Sequence, residues 1–496
     1  MKALICNILV ILISFLLIAE LQAQNYRTVN PGRIGFYKNE NKIISLRIDS
    51  VEAAGDDTVY YTIKNIQEIN PEWMCFSPYA PSWIGEKIII GSDGINIFFN
   101  RINDSIKIKT LAGLDEEWLC NIIKDSLKIY AKVTDFDTLR FLGVVDSVKT
   151  MSFQAYNKND EQIEHTINNK KVILSKNYGF VKTLNFFSFP DFEGYYFFDY
   201  HLQEYSLCGL TNPQMGINNL TWKEVYNFDV GDEIHTYYDS NISDGSDYSS
   251  ESTRYILKYI KKELLGDDIF YTIERRKRSV TASMESSRTV VIHDTIESLI
   301  KDNSLFNKLP GEPVIKDYEA YSYYMSISKA NGRLSKTYPL SGEVIYYGYT
   351  DSCWSILIDG DCYPSYREYI KGLGGPYYSC EFSFFLGHMG YSLVYYKKGD
   401  ETWGTPIVIS DIEEDDIEPS FKLYPNPVTD RLYITTTPED IPYTFTLWDI
   451  SGKLLYESVI TKADYYLTDI KPSAGFYYYR IIDRSGRVSS GKLIFK

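Results

Sequence analysis

Residues 421–427 read Phe421-Lys422-Leu423-Tyr424-Pro425-Asn426-Pro427, and they decide how the end of the chain folds. Two prolines around an asparagine fix the backbone and remove two donors, so a strand stops and a turn begins here. Downstream, Arg431–Thr435, Thr444–Asp449, Leu454–Ile460 and Phe476–Ile482 carry strand-forming residues. Ile450-Ser451-Gly452-Lys453 and Ala474-Gly475 supply turns between them, and Gly491-Lys492-Leu493-Ile494-Phe495-Lys496 closes the chain. Short alternating strands divided by turn residues are what a small immunoglobulin-like β-sandwich needs.

Outward from this segment the β signal continues. The 496 residues include 44 Tyr, 25 Phe and 7 Trp, whose flat rings pack on a pleated, half-buried surface. The expected fold class is mainly β, with antiparallel sheets or sandwiches ahead of the C-terminal sandwich. Hairpins are expected at Lys87–Ile90 and Ile95–Asn100, at Lys171–Leu174 and Phe180–Phe187, and at Leu127–Thr134 and Thr138–Val145 around Asp135-Phe136-Asp137. Another is expected around Gly266-Asp267-Asp268, and a short helix over Ser298–Leu309. The spacing predicts domains at 25–190 and 191–410, an acidic linker at 411–419 and a final domain at 420–496. Within that linker Asp411, Glu413, Glu414, Asp415, Asp416 and Glu418 cannot bury themselves.

Residues 1–24 read as a signal peptide. Lys2 precedes an apolar run to Ala19, and Ala23 offers a cleavage point. Net charge is −15, yet the last 76 residues hold 10 basic against 8 acidic side chains, so the acidity lies ahead of them. Such a surface repels phosphate backbones, and no nucleic-acid partner is expected. The basic run Arg275-Arg276-Lys277-Arg278 reads as a solvated strand edge.

The C-terminal pattern resembles the sorting domain (type A) of the Bacteroidetes type IX secretion system. The residues that carry the likeness are Tyr424, Pro425, Asn426 and Pro427, then Asp449, Ser451, Gly452 and Lys453, then Lys471 to Tyr477 around Gly475, and finally Lys492 to Lys496. The resemblance implies export by the Sec translocon, passage through the type IX machinery and removal of the domain by its sorting peptidase. It implies a secreted or cell-surface product, with attachment to surface lipopolysaccharide as one fate. Val225–Asp232, Tyr369–Pro376 and Leu393–Gly399 are similar to a module of type IX cargo that has no assigned activity.

Six cysteines follow the signal segment, and an even count in an exported chain fits disulfides. Glu72-Trp73-Met74-Cys75 echoes Glu117-Trp118-Leu119-Cys120. A Cys75–Cys120 bridge is expected, with a second bridge among Cys353, Cys362 and Cys380. The five histidines, His165, His201, His235, His293 and His388, lack metal-site spacing, and no nucleophile elbow or P-loop occurs. No catalytic residue and no cofactor is expected. Asp239–Asp247 resembles a calcium loop in composition, but the EF-hand register fails. Asp-Ser/Thr-aliphatic triplets at Asp49, Asp57, Asp104, Asp125, Asp137, Asp146 and Asp294 are similar to an O-glycosylation motif, and equally to turn-then-strand chemistry. The functional expectation is a non-catalytic, β-rich binding or surface protein; the alternative is a secreted hydrolase with a site built from dispersed residues.

Overall fold

The computed structural model describes residues 26–70, 75–123, 126–190, 202–243, 248–283, 287–339, 344–347, 353–356, 366–382, 386–409, 421–467, 472–484 and 488–496. The signal segment, the acidic linker, His201, Cys362, Lys471 and residues 244–247 lie outside them. The chain forms two compact units, one up to Ile409 and one from Ser410. Both are built from antiparallel sheets, as the aromatic and β-branched content requires.

In the first unit, Gly35–Asn39 acts as a hub. It pairs with Lys42–Leu46 on one side and with Glu204–Leu210 on the other. That second pairing runs across the expected boundary at residue 190, and Gly179–Leu184 pairs with the same strand. The division into 25–190 and 191–410 is therefore corrected: one continuous sheet joins the two stretches. Ile43 also bridges Met325, which carries the sheet into the second half of the unit. One apolar core gathers Phe98, Ile129, Met151, Phe180 and Phe186, and another gathers Phe36, Phe306, Val314 and Met325.

Two buried lysines close these cores. Lys149 donates to the carbonyls of Thr110 and Ala112 at 2.6 and 2.7 Å, below the rings of Tyr26 and Phe136. Lys336 reaches Asn219 Oδ1 and the carbonyls of Leu220, Phe306 and Lys308 at 2.6 to 3.2 Å. Each buried ammonium is tolerated because oxygens replace its water, from one chain segment at Lys149 and from two at Lys336.

Several local expectations are corrected. Leu127–Phe141 is one long strand, with Asp135–Asp137 inside it beside a bulge. The turn falls instead at Leu142-Gly143, both in the left-handed region at φ 48° and 85°. Ser298–Leu309 is not helical; its start completes the strand Ser287–Ile300. A short helix does form at Trp222–Val225, where Thr221 and Glu224 make a capping box. The expected turn at Gly266 does join Tyr248–Leu265 to Asp268–Ser283.

The second unit is a two-sheet sandwich. Lys422–Tyr424, Leu432–Thr435 and Asp464–Leu467 form one sheet, and Leu454–Ile460, Tyr443–Asp449, Gly475–Ile482 and Val488–Phe495 form the other. Ile434, Phe445, Leu447, Ile481 and Leu493 fill the space between the sheets. No helix among the described residues is long and apolar enough to cross a membrane.

Candidate binding site

The sorting-motif residues are first of all structural. Asn426 donates from Nδ2 to the Lys492 carbonyl at 3.0 Å, and its Oδ1 accepts from the Ile494 amide at 2.9 Å. Val428 and Lys496 continue this pairing through backbone bonds. The Tyr424-Pro425-Asn426-Pro427 segment thus clamps the terminal strand. Asp449 Oδ1 accepts from the Ser451 amide, the Ser451 hydroxyl and the Lys453 amide, while Gly452 takes φ 83°. These donors, led by the Ser451 hydroxyl, hold the Asp449 carboxyl below its usual range. Gly475 pairs with Phe495 at the start of its strand, which places these two parts of the sorting motif on one sheet.

The cysteines pair differently from expectation. Cys75 bonds Cys353, across 278 residues of sequence. Cys120 is a buried free thiol, pushed up to about 12 by burial. The Cys75–Cys120 pairing fails because the two strands belong to different sheets, and Cys120 points into the first core. Cys353, spent on Cys75, is unavailable to Cys362 or Cys380; Cys380 is nonetheless disulfide-bonded. Cys208 is a second free thiol.

The other singled-out residues scatter. His165 caps a turn through Ile167. Asp239–Ser243 runs as strand, and Asp239 contacts His388 at 3.2 Å. No group of three or more His, Cys, Asp or Glu among the described residues is placed to hold a metal ion. Of the triplet hydroxyls, Ser50, Ser126, Thr138, Ser147 and Thr295 are exposed, and Thr58 and Ser105 are partly exposed.

What the structure does assemble is an aromatic cavity. Its wall is a sheet of long strands: Glu233–Ser243 (β1), Tyr248–Leu265 (β2), Asp268–Ser283 (β3) and Ser287–Ile300 (β4), with Leu386–Lys398 (β5) against β1. In register, Tyr259, Ile273 and Ile296 form one row and Tyr271 and Ser298 the next, so all face the same side. Tyr226 and Phe228 and the loop Leu373-Gly374-Gly375 close over this face. They enclose about 230 Å³, with Thr236, Tyr377 and Tyr391 completing the lining.

The three segments of the cargo-like module meet here. Tyr226 Oη donates to the Gly375 carbonyl at 2.6 Å, and the Gly372 amide donates to the Glu224 carbonyl at 2.8 Å. Lys398 reaches the Asn227 carbonyl at 2.8 Å and Asp232 at 2.5 Å. Gly375 has φ 138°, and a Cβ there would lie 2.6 Å from the Glu368 carbonyl oxygen, so only glycine fits the turn.

Among the described residues, no charged side chain lines the cavity. Burial raises the phenols of Tyr226, Tyr259, Tyr377 and Tyr391, and pushes Tyr271 up to about 12. They remain neutral hydrogen-bonding groups. Tyr271 and Tyr377 spend their hydroxyls on backbone carbonyls. Thr236 does not: its Oγ1 is buried without a hydrogen bond of good geometry and lies against the Tyr391 phenol, whose burial-raised pKa it partly offsets. A larger recess of about 490 Å³ lies on the sheet of Ile48–Ala54 and its neighbours. There Asp57 and Asp93 each accept one backbone amide, from Ser92 and Ile95, and Asp56 and Lys107 add to its polar lining. Sequence reasoning missed the cavity itself; the module segments were the signal that pointed to it.

Comparison with known proteins bears on the C-terminal unit. Residues 422–496 match the family described as a secretion system C-terminal sorting domain. A search of curated proteins finds no match. Among solved structures, PorZ, a surface component of the type IX secretion system of Porphyromonas gingivalis, is similar at 8% identity over 95% of this chain and 81% of that one, with a TM-score of 0.15. The extracellular domain of BT4673 from B. thetaiotaomicron gives 10% identity over 95% and 86%, with a TM-score of 0.12. Superpositions this poor carry no argument about the first unit. The C-terminal unit, matched from Lys422 to the last residue, makes this chain a cargo of the type IX secretion system, delivered to the cell surface.

Proposed function

We propose that the first unit is a non-catalytic binding protein that takes a small neutral group into the aromatic cavity. The observation that carries this is the lining: apolar rows, neutral phenols and one buried hydroxyl without a partner, with no acid, base or nucleophile among them. Such a lining binds by apolar burial and one or two directed hydrogen bonds, and has no group for proton transfer at neutral pH. A volume of about 230 Å³ lies below the range of about 300–1,000 Å³ usual for pockets of drug-sized ligands, so the group it takes is no larger than a single ring. Export by the Sec route, removal of the sorting domain by its peptidase and retention through lipopolysaccharide complete the reading.

Thermal-shift titration of the purified chain with p-cresol, indole and methyl α-glucopyranoside tests the site. At least one of these raises the melting temperature of the wild type, and Ser298→Phe, which fills the cavity, abolishes the shift. The absence of any shift in the wild type sinks the proposal. So does turnover of p-nitrophenyl glycosides or casein by the pure chain, which returns the hydrolase reading.

A further inference from the structure

The edge of the long-stranded sheet is β4, and the basic run is not on it. β3, which carries Arg275 to Arg278, lies between β2 and β4. Alternation sends Arg275 and Lys277 to the cavity side of the sheet and Arg276 and Arg278 to the other. β4 pairs with β3 along one side over its whole length. Along its other side no backbone hydrogen bond reaches it from any described residue.

An unpaired strand edge is a template for another strand, and folds usually blunt it with lysine, proline, a bulge or a very short strand. β4 has none of these. It is 14 residues long, contains no Lys or Pro and keeps unbroken register with β3. Its centre, Thr289-Val290-Val291-Ile292, is wholly β-branched, as a paired strand prefers. A charge of each sign flanks that centre. Arg288 is exposed and makes no ion pair among the described residues. Asp294 accepts from Arg275 at 2.5 and 2.9 Å, yet its side chain stays 37% exposed.

We propose that β4 pairs antiparallel with β4 of a second copy of this chain, about a twofold axis at Val291, so that the sheet runs on from one chain into the other. Charge complementarity selects both the partner and the register. With Val291 opposite itself, Val290 stands opposite Ile292 of the second copy, Thr289 opposite its His293 and Arg288 opposite its Asp294, each twice by symmetry. Each Asp294 then lies between Arg275 of its own chain and Arg288 of the other, and a carboxylate has lone pairs for both. Directly opposed residues share a face, so the axis moves only in whole residues. One step either way sets Arg288 opposite Ile292 or Ile296. Residues 287–295 supply about eight to ten new backbone hydrogen bonds. They precede the cavity-lining Ile296, Ser298 and Ile300, so the pairing leaves the cavity free. An isologous contact of this kind closes at two copies.

Sedimentation velocity of the purified chain over about 1–100 μM is expected to show a monomer–dimer equilibrium, the range suited to a contact this small. Val291→Glu opposes two carboxylates on the axis, and Arg288→Glu sets a carboxylate opposite Asp294; each raises the dissociation constant about tenfold. Neither position is buried, and within its own sheet residue 291 stands across from Arg278, so both variants keep the wild-type melting temperature at low concentration. The register has its own readout. Val291→Cys is linked into a dimer by a short bis-maleimide, because the two positions lie about 5 Å apart. Glu297→Cys is not, because its two positions lie about 40 Å apart. The wild type is the control for the free thiols of Cys120 and Cys208. A monomer throughout the concentration range overturns the proposal. So does a dimer that neither charge variant weakens, or one in which Glu297→Cys links as fast as Val291→Cys.

Discussion

Thr236 and Glu401 show how single groups report on the whole. Thr236 is buried with an unpartnered hydroxyl, an arrangement that costs free energy until a ligand supplies a partner. Thr236→Val is expected to raise the stability of the free protein by about 1 kcal/mol while weakening ligand-induced stabilisation. Urea unfolding with and without p-cresol checks both halves. Glu401 accepts from the Tyr396 hydroxyl, Arg333 and Asn331, which hold its carboxyl down to about 2. Its folded value lies below the unfolded 4.5, so the unfolded chain takes up the proton first as pH falls. The stabilisation is complete above about pH 4.5 and disappears toward pH 2. Glu401→Gln is expected to flatten the fall in melting temperature over that window, and melting curves recorded across it decide the matter. Lys336 makes a stronger claim on packing. Its four oxygen partners lose their donor in Lys336→Met, for a loss of about 3 kcal/mol read from the urea midpoint.

At the level of elements, turn chemistry decides where strands end. Gly143 with Leu142, not Asp135–Asp137, makes the hairpin, because left-handed backbone is what a two-residue connection demands. Capping decides the short helix at Trp222, whose Thr221-x-x-Glu224 signature lies in plain view in the chain. In the sorting domain, Asn426 ties the last strand to the first turn. Asn426→Ala removes both bonds and is expected to destabilise the terminal strand by about 1–2 kcal/mol. Hydrogen exchange at the Ile494 amide should quicken while exchange at Phe445 stays slow.

At the level of the whole molecule, long-range closure matters most. The Cys75–Cys353 bridge joins residues 278 apart, and its loss through Cys75→Ser is expected to cost up to about 5 kcal/mol. Alkylation of the folded chain should spare Cys120, whose thiol is buried and protonated, and modify it only after unfolding. Capture of Cys120 in a native disulfide would contradict the structure. The hub strand Gly35–Asn39, paired on both sides, runs one large sheet through both halves of the first unit, which two domains in series would not share.

Whatever depends on neighbours in the chain was legible from residues alone: the β class, the turn at Gly266, the strand–turn order of the C-terminal sandwich and its sorting motif. Period-2 alternation and turn residues act over a few positions, so they survive as pattern. The Cys75–Cys353 pairing, the two sides of the Arg275–Arg278 run and the meeting of Tyr226, Tyr271 and Gly375 around one cavity were decided by tertiary structure. They depend on register and on closure across tens to hundreds of residues. A shift of one position in register sends every side chain to the other face.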